Sequence, residues 1–223
     1  MHKLKFVFLS MAIMLYFIAN AIKTNAQSIV VLQTSAGDIK LILYDETKFH
    51  KENFIKLVKQ GYYNNILFHR VISGFMIQAG DPASVTAKPG QALGSGGPGY
   101  TIPAEFYPTF YHKKGALAAA RQSDAVNPKK ESSGSQFYIV QGTVYRDSQL
   151  KSLENTQKHI PFTTEQRSAY TTIGGTPQLD NAYTVFGEVM EGLEVVDKIA
   201  ATPTDDRNRP LSDIKILKAY LVE

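Results

Sequence analysis

Apolar and polar positions alternate from the first residues after position 28. In Ile29 to Thr34 and Asp38 to Tyr44, joined by Ser35-Ala36-Gly37, Ile39, Leu41 and Leu43 are separated by polar or smaller neighbours. A period of two predicts strands with one dominant buried face. From Asp45 to Gln60 the period lengthens, with Phe49, Asn53, Phe54, Leu57 and Val58 on one stripe and Gly61 as a stop. A helix is expected there. Leu67 to Ile72 reads as a strand, Ser73-Gly74 as a turn and Phe75 to Gln78 as a second short strand. On that reading Phe68, Arg70 and Ile72 share one side.

The rest of the chain continues in short pieces. Asp81 to Tyr100 is a Pro- and Gly-rich loop, and Gln122 to Ser132 is a polar one. Gly115 to Ala120 (GALAAA) is helical by propensity yet only six residues long, while Gln136 to Gln141 is a strong strand. Between Gly142 and Pro177 lie short helical candidates at Asp147 to Glu154 and Thr164 to Tyr170; Thr164 with Arg167 does not satisfy the capping-box pattern. Thr184 to Met190 is a strand, and Glu191 to Ala201 a helix stopped by Pro203. Asp205 to Pro210 reads as a solvated charged turn, and Ile214 to Val222 as a closing strand. The inventory is mainly β in one domain, with about eight strands and two principal helices.

Composition changes this picture at the N-terminus. The 223 residues carry a formal charge of +4, but residues 1–26 hold three lysines and no acid. Without them 21 basic residues face 20 acidic ones, leaving +1 and no electrostatic case for nucleic acid. Lys3 and Lys5 precede an apolar run from Phe6 to Ala19, and Thr24-Asn25-Ala26 ends in a small residue. Residues 1–26 therefore read as a signal peptide cleaved before Gln27, the alternative being a retained membrane anchor, with 27–223 as the mature domain. There is no cysteine, which excludes disulfides, thiolate metal sites and thiol catalysis.

Candidate chemistry is sparse. His50, His112 and His159 are scattered without metal-ligand spacing, His69 sits on an apolar strand with no partner acid in view, and neither a metal nor a cofactor is expected. Gly94 to Gly99 matches the dinucleotide pattern G-x-G-x-x-G, but no strand enters it and Pro98 sits inside it. Ser133 and Ser135 lack the G-x-S-x-G elbow of a hydrolase. What stands out is Arg70, with Gln78 nearby, in the apolar run Leu67 to Asp81. A guanidinium is costly to desolvate and always charged, so it needs either a carboxylate partner or a task.

That run, LFHRVISGFMIQAGD, resembles the signature of the cyclophilin family of peptidyl-prolyl cis-trans isomerases. Ser133 to Ile139 (SGSQFYI) and Leu179 to Gly187 (LDNAYTVFG) resemble two further segments of that family, in the right order. The resemblance implies a closed eight-stranded antiparallel barrel capped by two helices, with GALAAA as a buried strand lining a groove and a partly helical insertion at about 142–177. It implies Arg70 as the catalytic donor to the prolyl nitrogen, held by Gln78. Phe75, Met76, Tyr138 and Leu179 would line a proline pocket closed by Tyr183, and Gln136 with the backbone around Ala120 and Arg121 would bind the substrate main chain. The partners would be proline-containing unfolded or flexible polypeptides of an exported compartment, met by a monomer. A non-catalytic peptide-binding or chaperone module on the same fold is the alternative. Tyr138 stands where phenylalanine is usual and Tyr183 where histidine is frequent, substitutions that keep an aromatic face.

Overall fold

The computed structural model describes residues 27–156 and 160–222, and these described residues form eleven strands and four α-helices. The signal reading of residues 1–26 and His159 lie outside the described residues. The strands are β1 (Ile29–Thr34), β2 (Gly37–Leu43), β3 (Ile66–Leu67), β4 (Arg70–Ile72), β5 (Met76–Ala79), β6 (Thr101–Ile102), β7 (Ala116–Ala119), β8 (Ser132–Ser133), β9 (Phe137–Val140), β10 (Val185–Glu191) and β11 (Lys215–Val222). The helices are α1 (Lys48–Lys59), α2 (Asp147–Thr156), α3 (Thr164–Thr172) and α4 (Leu193–Ala200).

Nine strands form one antiparallel sheet in the order β3-β11-β1-β2-β10-β7-β9-β5-β4, while β6 and β8 pair separately. The expected closed eight-stranded barrel is corrected to a nine-stranded sheet curled into a half-barrel. The reason lies in Leu67 to Ile72, which is not one strand. Phe68 and His69 interrupt it, so β3 and β4 end up at opposite edges of the sheet. Loop carbonyls, not a ladder, span the gap: Phe68 N donates to Ile214 O at 2.9 Å and Val71 N to Asn208 O at 2.8 Å. The break also shifts the faces. Phe68 packs with Val71 in the main core, while Arg70 and Ile72 are only half-buried.

The alternation read at the start of the chain builds that core. Val30, Leu32, Ile39, Leu41 and Leu43 are buried beside Phe54, Leu57 and Val58 of α1 and Val195, Val196 and Ile199 of α4. Burying such side chains is worth about 1.5–3 kcal/mol each before conformational entropy is charged against it. Gly61 ends α1 as expected, at φ +67°, with Gly61 N donating to Val58 O and Tyr62 N to Leu57 O. This is the Schellman arrangement. The helix start holds a contact that the sequence did not announce. Thr47 makes no side-chain cap bond, and the N–H groups of Phe49 and His50 donate instead to the Glu105 carboxylate, 55 residues or more away. A carboxylate there also meets the positive end of the helix dipole.

The insertion is folded. Leu150 of α2, Phe162 and Tyr170 of α3 pack with Tyr111 in a separate buried cluster, and Tyr145 and Leu153 flank it. Ile160 and Ile173 are exposed. Arg167 joins the two helices by bonding Asp147 at 2.7 Å and both Glu154 oxygens at 2.6 Å. A complete capping box starts α3, but on Thr163 and Gln166, one residue before the pair considered from the sequence. At the insertion's base Thr143 and Gly175 exchange backbone hydrogen bonds. The Asp205 turn is likewise more than a solvated one: Arg209 is buried, donating to Lys88 O, Gln91 O and Asp213.

Candidate active site

Three neighbouring strands place the polar candidates in a row. Arg70 on β4 pairs in register with Gln78 on β5, and β5 lies against β9, which begins just after Gln136. Arg70 Nη1 donates to Gln78 Oε1 at 3.3 Å, and Gln78 Nε2 donates to Gln136 Oε1 at 3.0 Å. Gln136 Nε2 donates in turn to Gly94 O at 2.9 Å and Gly96 O at 2.7 Å. The glycine loop thus fixes the polarity of both amides. Two fixed carbonyls turn the Gln136 nitrogen toward the loop, so its oxygen must face Gln78, and the Gln78 oxygen must face Arg70. Arg70 makes no ion pair among the described residues, so the carboxylate-partner explanation for a charge in this run does not hold.

The apolar candidates converge as well. Met76, Tyr138 and the small residues Ala116 and Ala118 form one buried cluster, with Phe75, Ala120, Leu179 and Tyr183 half-buried against it. Tyr138 and Tyr183 meet edge to face at 6.0 Å. Arg121 lies 4.5 Å over the Tyr183 ring, donates from Nε to Ala182 O at 2.8 Å and pairs with Asp124 at 2.6 Å. The GALAAA strand supplies the small side chains as expected. Gln78, Gln136, Ala120 and Arg121 also line an open cleft of about 670 Å³ walled by the glycine loop and Tyr100. Ala120 is already engaged through its backbone: its N–H donates to Gln136 O and its carbonyl accepts from Ser133 N.

Sequence reasoning missed several supports. Asp81 is buried and accepts from Ala83 N at 2.8 Å, Gly94 N at 2.5 Å and Gly96 N at 3.3 Å, so its carboxylate anchors the loop that orients Gln136. It closes the Leu67 to Asp81 run, and that position was the available signal. His112 and Asp180 meet at 2.8 Å across 68 residues, with no local pattern to announce them. His69 is buried, and neither ring nitrogen has a hydrogen-bond partner of good geometry among the described residues. No cluster of three or more His, Cys, Asp or Glu suited to a metal occurs among the described residues.

Burial lowers His69 to about 4, opposed chiefly by the Asp81 charge. A folded value below the ordinary histidine value means that the unfolded chain binds the proton more readily. Stability from the neutral ring is complete above the unfolded pKa of 6.5 and is lost as pH falls from there toward 4, by up to about 3 kcal/mol. Burial also lowers His50, against the opposing Glu105 bond, and acts in the same direction. His69→Leu is therefore expected to flatten part, not all, of this loss, as read from urea midpoints at pH 7 and 4.5. Equal drops in the two proteins would show that His69 is not held neutral.

Known proteins resemble this chain in sequence and fold. The family model described as "Cyclophilin type peptidyl-prolyl cis-trans isomerase/CLD" matches residues 29–221. A Staphylococcus saprophyticus protein provisionally named a peptidyl-prolyl cis-trans isomerase is 36% identical over 198 residues, covering 87% of this chain and 91% of its own. A similarly named Staphylococcus aureus protein is 35% identical over 188 residues, covering 84% and 88%. A crystal structure of a cyclophilin-type isomerase from Cryptosporidium parvum superposes with a TM-score of 0.65 at 26% identity, over 88% of this chain and 98% of that one. A second structure of that protein, in the presence of the dipeptide Ala-Pro, gives 0.64 at 27% identity, over 87% and 99%.

Proposed function

The chain belongs to the cyclophilin family of peptidyl-prolyl cis-trans isomerases, and on that premise we propose that Arg70 is the group that lowers its rotational barrier. An Xaa-Pro bond is partly double, with a barrier of roughly 20 kcal/mol and uncatalysed rotation in tens of seconds. A turnover on the order of 10³ s⁻¹ needs that barrier lowered by about 7 kcal/mol. Twisting the bond localises a lone pair on the prolyl nitrogen, and a fixed cationic donor aimed there is felt most in the twisted state. A guanidinium is charged at any working pH, and the Gln78 oxygen holds one edge of the Arg70 fork.

Phe75, Met76, Tyr138 and Leu179 form the floor that would hold the proline ring while the acyl side turns, with Tyr183 as a wall stiffened by Arg121. Gln136 takes a different part from the substrate binding implied by resemblance. Its amide hydrogens are spent on Gly94 and Gly96 and its oxygen on Gln78, so its task is to set Gln78. Main-chain contacts to a peptide then fall to Arg121 and the cleft walls beside it. The observation that carries this reading is the continuous chain from the glycine loop through Gln136 and Gln78 to Arg70, ending beside an apolar pocket. A protease-coupled assay on an Xaa-Pro tetrapeptide tests it; cis-to-trans conversion no faster than the uncatalysed rate overturns it.

The charge pattern of residues 1–26 supports an exported enzyme acting on proline-containing polypeptides of the envelope or exterior. Among the described residues no helix is long and apolar enough to cross a membrane. N-terminal sequencing of the protein from a producing cell should begin at or near Gln27. Met1 on membrane-bound protein would establish a retained anchor instead.

A further inference from the structure

Tyr138 brings a hydroxyl to a position where a bare ring would fill the same pocket floor, and that hydroxyl has a buried destination. It lies 3.0 Å from His112 Nε2, with the two rings nearly parallel and their centroids 6.1 Å apart. His112 Nδ1 lies 2.8 Å from Asp180 Oδ1, which also accepts the His112 backbone N–H at 2.8 Å. The other Asp180 oxygen accepts the Tyr170 hydroxyl at 2.6 Å. All four residues are buried, His112 and Tyr170 completely.

With a neutral imidazole at position 112, one proton arrangement satisfies every contact. The Asp180 carboxylate can only accept, so it takes the Nδ1 proton of His112 and the hydroxyl proton of Tyr170. His112 Nε2 is then an acceptor, and Tyr138 must donate to it. Burial pushes both tyrosine hydroxyls above their ordinary value, so both remain donors. Burying an imidazole and a carboxylate costs several kcal/mol unless each is fully paired, whereas apolar residues of like size would pack at no such cost. What a complete polar network supplies in exchange is a single orientation.

Tyr170 belongs to α3, inside the insertion, and packs in the insertion's own apolar cluster, not in the pocket's. We propose that the insertion is a positioning element of the isomerase site: Tyr170, through Asp180 and His112, fixes the tilt of the Tyr138 ring and so the size of cyclic residue the pocket accepts. The proposal rests on the pocket assignment above. Tyr138 is the residue that meets substrate, and His112, Asp180 and Tyr170 act through it. The Tyr138 edge against Tyr183 carries the same constraint to the pocket wall.

A double-mutant cycle tests it. Wild type, Tyr138→Phe, Tyr170→Phe and the double variant are assayed below their melting transitions on a prolyl peptide and on its pipecolyl analogue, whose ring is one methylene larger. Tyr170→Phe is expected to lower kcat/KM on the prolyl peptide by about three- to tenfold, the worth of one hydrogen bond, and to narrow the preference for prolyl over pipecolyl. In the Tyr138→Phe background the same change should do neither, because the link is already cut. A Tyr170→Phe protein that melts lower but keeps wild-type kcat/KM and ring preference overturns the proposal, as do effects that simply multiply. Should Tyr170→Phe fail to fold, Asp180→Asn takes its place in the cycle. A wild type inactive on the prolyl peptide would be a failure of the pocket assignment itself, distinct from an active wild type with an uncoupled cycle.

Discussion

Arg70→Ala is expected to fold normally and lose isomerase activity by about two to three orders of magnitude, the range for removing one preorganised transition-state donor. Folding should survive because little depends on the guanidinium. Arg70 is half-buried, its side-chain bond to Gln78 is long at 3.3 Å, and no carboxylate is left charged and alone when it goes. Gln78 is itself half-buried, so its freed oxygen can be met by water. Arg70→Lys should be nearly as damaging, since a compact ammonium cannot be held by one amide oxygen in the plane the twisted nitrogen requires. The measurement is kcat/KM on an Xaa-Pro tetrapeptide beside a thermal melt. A variant that melts like wild type and keeps more than about a tenth of its activity would sink the donor mechanism.

Arg70 also marks how much could be read before any coordinates. An arginine in an apolar run is conspicuous because its cost is local: every neighbour that makes it expensive lies within a few residues. The first strands were legible for the same reason, since Ile39, Leu41 and Leu43 state their period within five residues. So was the stop at Gly61, where the positive φ and both closing hydrogen bonds belong to one turn. Information that spans the chain fared differently. Nothing around Glu105 says that it caps α1, and nothing near His112 names Asp180 or Tyr138 as its neighbours.

Two misreadings had local causes. Leu67 to Ile72 is uniformly apolar apart from His69 and Arg70, so its pattern could not reveal that Phe68 and His69 leave the ladder. The resemblance implied a closed barrel, whereas the break after β3 puts β3 and β4 at opposite edges of an open half-barrel. In the insertion, consecutive threonines made the cap ambiguous by one residue, and the pair that works is Thr163 with Gln166. The site residues named from the resemblance lie close together, with contacts that the resemblance did not imply. Gln136, expected to hold substrate, has its hydrogens fixed on the glycine loop, and Tyr138, expected to differ trivially from phenylalanine, anchors a buried network.

Gly80→Ala is expected to cost about 3–5 kcal/mol, combining backbone strain with overpacking against an unyielding neighbour. Gly80 sits at φ +101°, where a side chain is strained whatever the space. An added Cβ would stand 2.2 Å from Ser135 O and 2.7 Å from Gln136 Cα, both backbone atoms. That backbone has little room to retreat: the Ser135 hydroxyl donates to Gly80 O at 2.7 Å, the Tyr63 hydroxyl donates to Ser135 O, and the Gln136 amide is pinned to the glycine loop. Moving Gln136 away would also draw its oxygen off Gln78 and release Arg70, so activity should fall further than the folded fraction accounts for. Gly90→Ala is the matched control. It has a positive φ of +73° but nothing within 4 Å of the new Cβ, so strain alone remains, at about 1 kcal/mol. Urea midpoints for both variants, with kcat/KM corrected for the folded fraction, separate the two contributions. Similar losses at Gly80 and Gly90 would show that β5 can move away from the Ser135–Gln136 segment, and that the close approach at Gly80 does not hold the relay to Arg70 in place.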